Sequence, residues 1–220
     1  SVNTDFLQTN ADFYNAEIYK SAFDRSTLNS INNWVEDKTD GMIKNILDDI
    51  SEDAIMYLIN ALSFDAEWQN IYKSNQIRNG IFTTEDGTEL EAELMYSKEN
   101  LYLNDGKAEG FIKYYADSKY AIAALLPNEG ISISEYVSSL TGDSLAALLA
   151  EPQHTSVNTA IPKFKNESNL EMNEILKSMG MMDAFDQSKA DFSRIGTASD
   201  LNIFIDRVIH KTYISVDESG

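Results

Sequence analysis

The sequence is short of several residue types, and each shortage excludes a class of site or partner. Among its 220 residues there is no cysteine, which excludes disulfides, thiol catalysis and thiolate zinc sites. No run reaches the ~18 consecutive apolar residues that a membrane span requires, so no membrane partner is predicted. The most apolar candidate, residues 121–126, is closed by the turn-forming sequence Pro-Asn-Glu-Gly.

Positive charge is also scarce. Seventeen Lys and Arg face 36 Asp and Glu, for a net charge of −19. A duplex-binding protein needs a basic surface to displace counterions from phosphate, so nucleic acid is not an expected partner. An acidic surface favours solubility and could steer a basic partner, although a solvated surface without such a partner is the simpler interpretation.

The composition is that of a globular chain, since 43% of the residues are hydrophobic and can form a sizeable core. Length alone permits one large domain or two small ones. Because the chain has no linkers, repeats or low-complexity tracts, we expect residues 1–220 to be part of a single domain of the α+β class.

Periodicity and breakers predict the order of elements. The pairs Asp86-Gly87 and Asp105-Gly106 indicate hairpin turns among antiparallel strands in residues 81–115. The almost wholly apolar run 54–64 favours a strand covered on both faces. Helices are expected over 5–15, 30–38 with Ser30 as cap, 134–149 and 169–179, and strands over 18–23, 54–64, 120–126, 155–164 and 201–216.

A search for catalytic and metal-binding motifs is negative. The sequence has no Gly-x-Ser-x-Gly, His-Glu-x-x-His, Gly-x-Gly-x-x-Gly or phosphate-loop pattern, and it has two histidines. The acidic run 48–53 lacks the alternating oxygens and glycine of a calcium loop, so neither a metal nor a cofactor is predicted. A Ser, His and Asp site whose members are distant in sequence stays open as an alternative.

Two polar residues stand within apolar strand patterns. Asn60 interrupts the run 54–64, and a buried amide without a hydrogen-bond partner costs about 1 to 3 kcal/mol. His210 shares an alternating row with Val208, Thr212, Ile214 and Val216. The two side chains could bond to each other, although nearby backbone is the more common partner of such residues.

Several segments together resemble one known family. Residues 208–220 form a long β-pattern that ends in Asp-Glu-Ser-Gly. Residues 31–43 contain Asn, Trp-Val and then Thr-x-Gly-x-Ile, and residues 56–64 are an apolar strand with a central Asn, followed by Trp68. A fourth match runs from Ile-Pro-Lys-Phe at 161–164 to Ala-Asp-Phe-Ser at 190–193. In this order, over nearly the whole chain, they resemble the serpins.

The resemblance implies a serpin fold, with a large central mixed β-sheet, smaller sheets and surrounding helices. It implies a protease inhibitor that is consumed and is not an enzyme. A serine protease, or a cysteine protease, would cleave an exposed reactive centre loop and become trapped as an acyl-enzyme. The cleaved loop would insert as an extra strand into a metastable sheet. The target protease is then the expected partner, and the inhibitor is expected to be a monomer.

The resemblance also assigns roles to residues. Asn60 and His210 match the shutter, where the sheet parts, while the helix at 31–38 would lie across the sheet and yield. Trp68, Lys163 and Glu218 match the breach, where loop entry begins, with Lys163 and Glu218 as an ion pair. The reactive-loop hinge would start at Glu218, Ser219 and Gly220, and glycine suits a point where the backbone must swing.

The sequence departs from the family pattern at both ends. The chain is expected to lack the N-terminal helices and everything after the start of the hinge, so the target protease cannot be inferred. A non-inhibitory serpin that acts as a binding, carrier or chaperone module is therefore the alternative. The absence of cysteine and the residue choices at 60–68 resemble bacterial members of the family. Because such members would meet proteases outside the cell, we expect an extracellular protein.

Overall fold

Antiparallel hairpins form the two sheets of the central region. The computed structural model describes residues 2–51, 53–198 and 202–220. One sheet has the order β1-β2-β6 and the other β3-β4-β5, all antiparallel. The strands are β1 (Ile77–Thr83), β2 (Glu89–Glu99), β3 (Tyr102–Asn104), β4 (Ala108–Tyr114), β5 (Ala121–Pro127) and β6 (Val157–Pro162).

Both predicted hairpin turns are confirmed. Gly87 and Gly106 have φ of +83° and +84°, a conformation that glycine adopts without steric cost. The preceding aspartates close the turns, because Asp86 accepts from the Thr88 amide at 3.0 Å and Asp105 accepts from the Ala108 amide at 2.8 Å.

Four of the five described α-helices are capped at the N-terminus by a side chain. The five helices are α1 (Thr4–Tyr14), α2 (Arg25–Lys38), α3 (Ile133–Ser139), α4 (Gly142–Ala150) and α5 (Asn173–Ser178). The expected helix over 30–38 begins five residues earlier, since Asp24 accepts from the amides of Ser26 and Thr27 and is the N-cap. Ser30 is not the cap; its hydroxyl donates to the Ser26 carbonyl within the helix.

The chain divides into two compact units: Ser1–Ser63 with Glu167–Tyr213, and Phe64–Asn166 with Ile214–Gly220. The core of the second unit contains Trp68, Tyr72, Met95 and Val216. In the first unit, α2 is held by Glu17, whose carboxylate accepts from Tyr19, Trp34 and Lys38 at 2.6, 2.8 and 2.9 Å. The single domain expected for residues 1–220 stays a prediction.

Four of the expected elements are wrong or shorter than expected. Residues 18–23 and 54–64 form no strand where described, because a strand exists only through its ladder and neither segment has a paired neighbour among the described residues. Residues 169–171 belong to β7 (Phe164–Glu171), so the expected helix over 169–179 is reduced to α5. The expected strand over 201–216 is reduced to β8 (Ile209–Val216), and Leu201 lies outside the described residues.

Strands β7 and β8 pair with each other in a two-stranded sheet. The described residues between them include α5 and a 3-10 turn at Asp183–Phe185. Among the described residues, no helix has the length and apolarity to cross a bilayer.

Candidate functional site

The end of β8 is fixed to the loop around Trp68 by backbone hydrogen bonds. The Trp68 amide donates to the Ser219 carbonyl at 2.7 Å, and the Tyr72 amide donates to the Glu218 carbonyl at 3.0 Å. The Trp68 indole N–H donates to the Asp217 carbonyl at 2.9 Å. We call these residues, with Lys163, the Trp68 clamp, because they hold the segment Asp217–Gly220 from one side.

An ion pair completes the Trp68 clamp. The Lys163 ammonium lies 2.7 Å from the Glu218 carboxylate and 3.8 Å from that of Glu93. The hydrogen bond to Glu218 raises the pKa of Lys163, and the same bond lowers the pKa of Glu218. The ion pair expected between Lys163 and Glu218 therefore forms, while its role in loop entry stays a prediction.

The segment Asp217–Gly220 is a tight turn. The Asp217 carboxylate accepts from the Ser219 amide at 2.7 Å, and the Asp217 amide donates to the Gly220 carbonyl at 2.9 Å. A Cβ atom at Gly220 would lie 1.9 Å from the Ala66 carbonyl oxygen. Glycine at 220 thus permits a close backbone approach, a reason that is separate from the conformational freedom expected of a hinge.

Beneath the Trp68 clamp lies a set of buried polar groups that sequence reasoning missed. Tyr115 stacks on Trp68, with ring centroids 4.5 Å apart. The buried Lys113 ammonium lies 3.0 Å from the Glu99 carboxylate and 4.6 Å from the Tyr72 ring centroid. One feature of the sequence could have indicated this site: Lys113 directly follows Phe111 and Ile112 in a strand. Both of these residues are buried.

The two shutter residues are not brought together by hydrogen bonding. Asn60 and His210 are both exposed, and the side chain of neither makes a hydrogen bond or ion pair with another described residue. Along β8 the row of His210, Thr212 and Ile214 faces outward, and Ile209, Lys211 and Tyr213 are half-buried. The row expected to be apolar is therefore open at His210, Thr212 and Ile214 and buried at Val216, which is 3% exposed. The shutter role of Asn60 and His210 stays a prediction.

A buried amide ties α2 to the chain that follows it. The Asn32 carbonyl oxygen accepts from the amides of Ile46 and Leu47 at 2.9 and 3.0 Å, and its amide group donates to the Leu47 carbonyl at 2.9 Å. The Thr39 hydroxyl donates to the Val35 carbonyl at 2.7 Å and accepts from the Ile43 amide at 3.1 Å. These bonds connect α2 to residues 39–47.

The acidic run 48–53 contributes carboxylates to ion pairs. Asp49 pairs with Arg207 at 2.7 Å, which lowers the pKa of Asp49, and Asp48 lies 3.9 Å from Lys211. Glu52 lies outside the described residues. In the part of the chain that the structure describes, no group of three acidic or imidazole side chains could hold a metal ion.

Sequence comparison identifies relatives across the chain. The family model described as "Serpin (serine protease inhibitor)" matches residues 1–220. Serpin B10 of Rhinolophus ferrumequinum is 32% identical over 88% of this chain and 50% of its own length. Human serpin B7 is 32% identical over 98% of this chain and 58% of its own length. The chain thus spans about half the length of the curated relatives that it matches.

Solved structures share the fold. The thermophilic serpin tengpin in its native state is 48% identical, with a TM-score of 0.95 over all of this chain and 57% of that one. Tengpin in the latent state gives a TM-score of 0.94 over all of this chain and 60% of that one, again at 48% identity. Thyroxine-binding globulin, at 22% identity and a TM-score of 0.87, shares the fold over all of this chain and 60% of its own. The chain has the serpin fold and belongs to the serpin family.

Proposed function

We propose that this chain is the sheet-opening part of a suicide-substrate inhibitor of serine proteases, with cysteine proteases as a further possible target class. The protease would cleave a reactive centre loop that follows Gly220 in the full-length protein and form an acyl-enzyme. The loop would then insert beside β8, and the protease would be deformed before hydrolysis. The family's description as a protease inhibitor supports this proposal.

The observation that carries the proposal is the free edge of β8. Among the described residues, β8 pairs with β7 alone, so the backbone groups along its other edge are available for another strand. An edge of this kind accepts an extended peptide through main-chain hydrogen bonds, and alternate side chains supply the packing. The exposed row of His210, Thr212 and Ile214 would lie along the inserted strand.

Residues 54–63 support the same interpretation. They are apolar, and they form neither helix nor strand. Leu58 and Leu62 are 72% and 87% exposed. Burying them in an enlarged sheet would stabilise the protein by about 1.5 to 3 kcal/mol for each fully buried side chain. This apolar surface supplies part of the driving force that insertion needs.

The Trp68 clamp fits the point where insertion starts. A loop continuing from Gly220 can enter the sheet only after Asp217–Gly220 leaves Trp68, Tyr72 and Lys163. The bonds of the clamp would therefore oppose spontaneous insertion in the uncleaved inhibitor and yield once cleavage frees the loop.

The finer assignments are part of the proposal. The similarity to a thermophilic serpin at 48% identity, against 29 to 33% for mammalian relatives, supports a bacterial source. We propose an extracellular monomer whose partner is the target protease, acting without a cofactor and without turnover.

The test is a denaturing gel of the full-length protein mixed with a panel of serine and cysteine proteases. A covalent complex that survives detergent is expected with at least one active protease and not with the same protease blocked at its nucleophile. Clean cleavage of the unaltered protein by every protease would contradict inhibition and favour a binding or carrier role.

A further inference from the structure

Lys113 is a charged side chain in an apolar position. It is 4% exposed and lies in β4 next to the buried Ile112. A buried ammonium is costly unless it is paired and hydrogen-bonded, and Glu99, at 3.0 Å, supplies that pairing.

The partner of Lys113 is itself held in place. The Ser97 hydroxyl donates to the same Glu99 oxygen at 2.6 Å. Ser97 is also 2.8 Å from the Thr159 hydroxyl and 3.4 Å from the Tyr72 hydroxyl. Glu99 thus joins Lys113 to a hydroxyl chain across β2 and β6 that ends on Tyr72.

The Lys113 ammonium contacts both aromatic residues of the Trp68 clamp. It lies 4.6 Å from the Tyr72 ring centroid and 5.6 Å from that of Trp68, within the range of a cation–π interaction. The amides of these two residues are the donors that hold the carbonyls of Ser219 and Glu218. The Lys113 ammonium therefore contacts the rings of Trp68 and Tyr72, while the backbone amides of the same two residues bind the proposed hinge.

We propose that Lys113, fixed by Glu99, is a positioning residue that keeps Trp68 and Tyr72 in the geometry that binds Asp217–Gly220, and so controls when the hinge is released. This inference rests on the proposed function for its consequence in inhibition, but its structural part stands on the contacts above. Lys113 does not touch the hinge; it acts through the two rings.

An open cavity of about 690 Å³ beside Lys113 gives its side chain space to move away from the Trp68 and Tyr72 rings. It is lined by residues 69–73, by Ser97, Lys98 and Glu99 and by Lys113 itself. When Glu99 no longer attracts the ammonium, Lys113 has room to turn toward water and leave the rings. Lys98 lines the same cavity, is exposed and makes no ion pair with a described residue, so it provides a matched lysine.

The test uses the full-length protein and its variants Lys113→Met, Glu99→Gln, Lys113→Arg and Lys98→Met. Hydrogen exchange measured by mass spectrometry follows the Trp68 and Tyr72 amides, with the β1–β2 amides as an internal reference. We expect Lys113→Met and Glu99→Gln to speed exchange at Trp68 and Tyr72 at least tenfold relative to the reference. Lys98→Met should behave as the unaltered protein, and Lys113→Arg, which keeps the cation and has room in the cavity, should restore most of the protection.

Uniform acceleration across the reference amides, or unchanged exchange at Trp68 and Tyr72, would overturn the proposal in favour of a merely structural ion pair. If Lys113→Met does not fold, the exchange rates of Glu99→Gln test the proposal instead, because this variant keeps Lys113 and removes the charge that holds it. A second readout is the rate at which inhibitory activity is lost on standing, expected to rise at least fivefold in Glu99→Gln. If the unaltered protein traps no protease, the proposed function fails, and the exchange result still decides the role of Lys113.

Discussion

At the scale of single residues, Glu17 shows how one carboxylate fixes a helix. The carboxylate accepts hydrogen bonds from Tyr19, Lys38 and Trp34, and these lower its pKa from 4.5 to about 2. The bond from Tyr19 has the largest effect. A carboxyl group whose pKa is lower in the folded state stabilises the fold above its unfolded pKa. That contribution is lost as the pH falls from about 4.5 to about 2.

We expect Glu17→Gln to unfold at a lower denaturant concentration than the unaltered protein at pH 7, because the amide replaces a charged acceptor of three hydrogen bonds. The difference should be constant above pH 5 and close as the pH falls from about 4.5 to about 2. Denaturant unfolding at a series of pH values measures it. The control is Glu36→Gln, which lies on α2 itself and whose carboxylate accepts none of these bonds. A difference between Glu17→Gln and the unaltered protein that persists unchanged at pH 2 would refute the assignment.

The Lys163–Glu218 ion pair gives a second prediction at this scale. Lys163→Glu places a carboxylate beside those of Glu218 and Glu93, so we expect activity to be lost on standing up to about fivefold faster, as for an exposed pair. The exchanged pair Lys163→Glu with Glu218→Lys should recover most of the loss. A single Lys163→Glu variant with unaltered stability and loop insertion would show that the pair has no role.

At the scale of elements, the link between α2 and residues 46–47 depends on one side chain. Asn32→Ala removes three hydrogen bonds and leaves the amides of Ile46 and Leu47 without their acceptor, so we expect a loss of about 3 kcal/mol in the free energy of unfolding. Asn33→Ala, at the exposed neighbouring position, should change it by less than about 0.5 kcal/mol. Equal effects in the two variants, measured by denaturant titration, would argue against the link.

The pairing of β4 with β5 requires a glycine at 110. A Cβ atom there would lie 2.0 Å from the Ala124 carbonyl oxygen, and backbone cannot move aside as a side chain can. We expect Gly110→Ala to cost about 3 kcal/mol, at the upper end of the range for overpacking. Gly142→Ala meets nothing within 4 Å and should be neutral or slightly stabilising in thermal unfolding; similar losses in both variants would contradict this reading of β4.

The elements differ in how far local sequence determines them. The two Asp-Gly hairpins were predictable because the turn carries its own hydrogen bonds and its own backbone preference. The apolar run 54–64 was not, because whether such a run becomes a strand depends on a neighbour that the run does not encode. The start of α2 was not predictable either. Asp24 is its N-cap and Ser30 is not, and the hydrophobic periodicity of the sequence does not distinguish the two positions.

The candidate site divides in the same way. Trp68, Lys163 and Glu218 were assigned from the resemblance of whole motifs, and neither charge nor periodicity would have paired residues 55 positions apart in sequence. Lys113 and Glu99 could not be paired from sequence, because their contact depends on how β2 crosses β4. Asn60 and His210 remain predictions from the family alone.

At the scale of the whole molecule, the proposed insertion beside β8 predicts a gain in stability on cleavage. When the loop beyond Gly220 is cut by a protease that is not trapped, the freed strand should insert and add a ladder of hydrogen bonds. We expect the melting temperature to rise by about 10 °C or more. Calorimetry of intact and cleaved protein measures this rise, and cleaved protein that melts no higher than intact protein would be inconsistent with insertion.

The chain has two tryptophans, and each compact unit contains one of them. Trp34 lies partly exposed on α2, while Trp68 is 2% exposed and bonds to the segment Asp217–Gly220, so their emission spectra should differ, with that of Trp68 further to the blue. Replacing Trp34 with phenylalanine leaves an intrinsic fluorophore that contacts this segment directly. Release of the segment, if the proposed function holds, could then be followed in real time in stopped-flow mixing with a protease, without any added label.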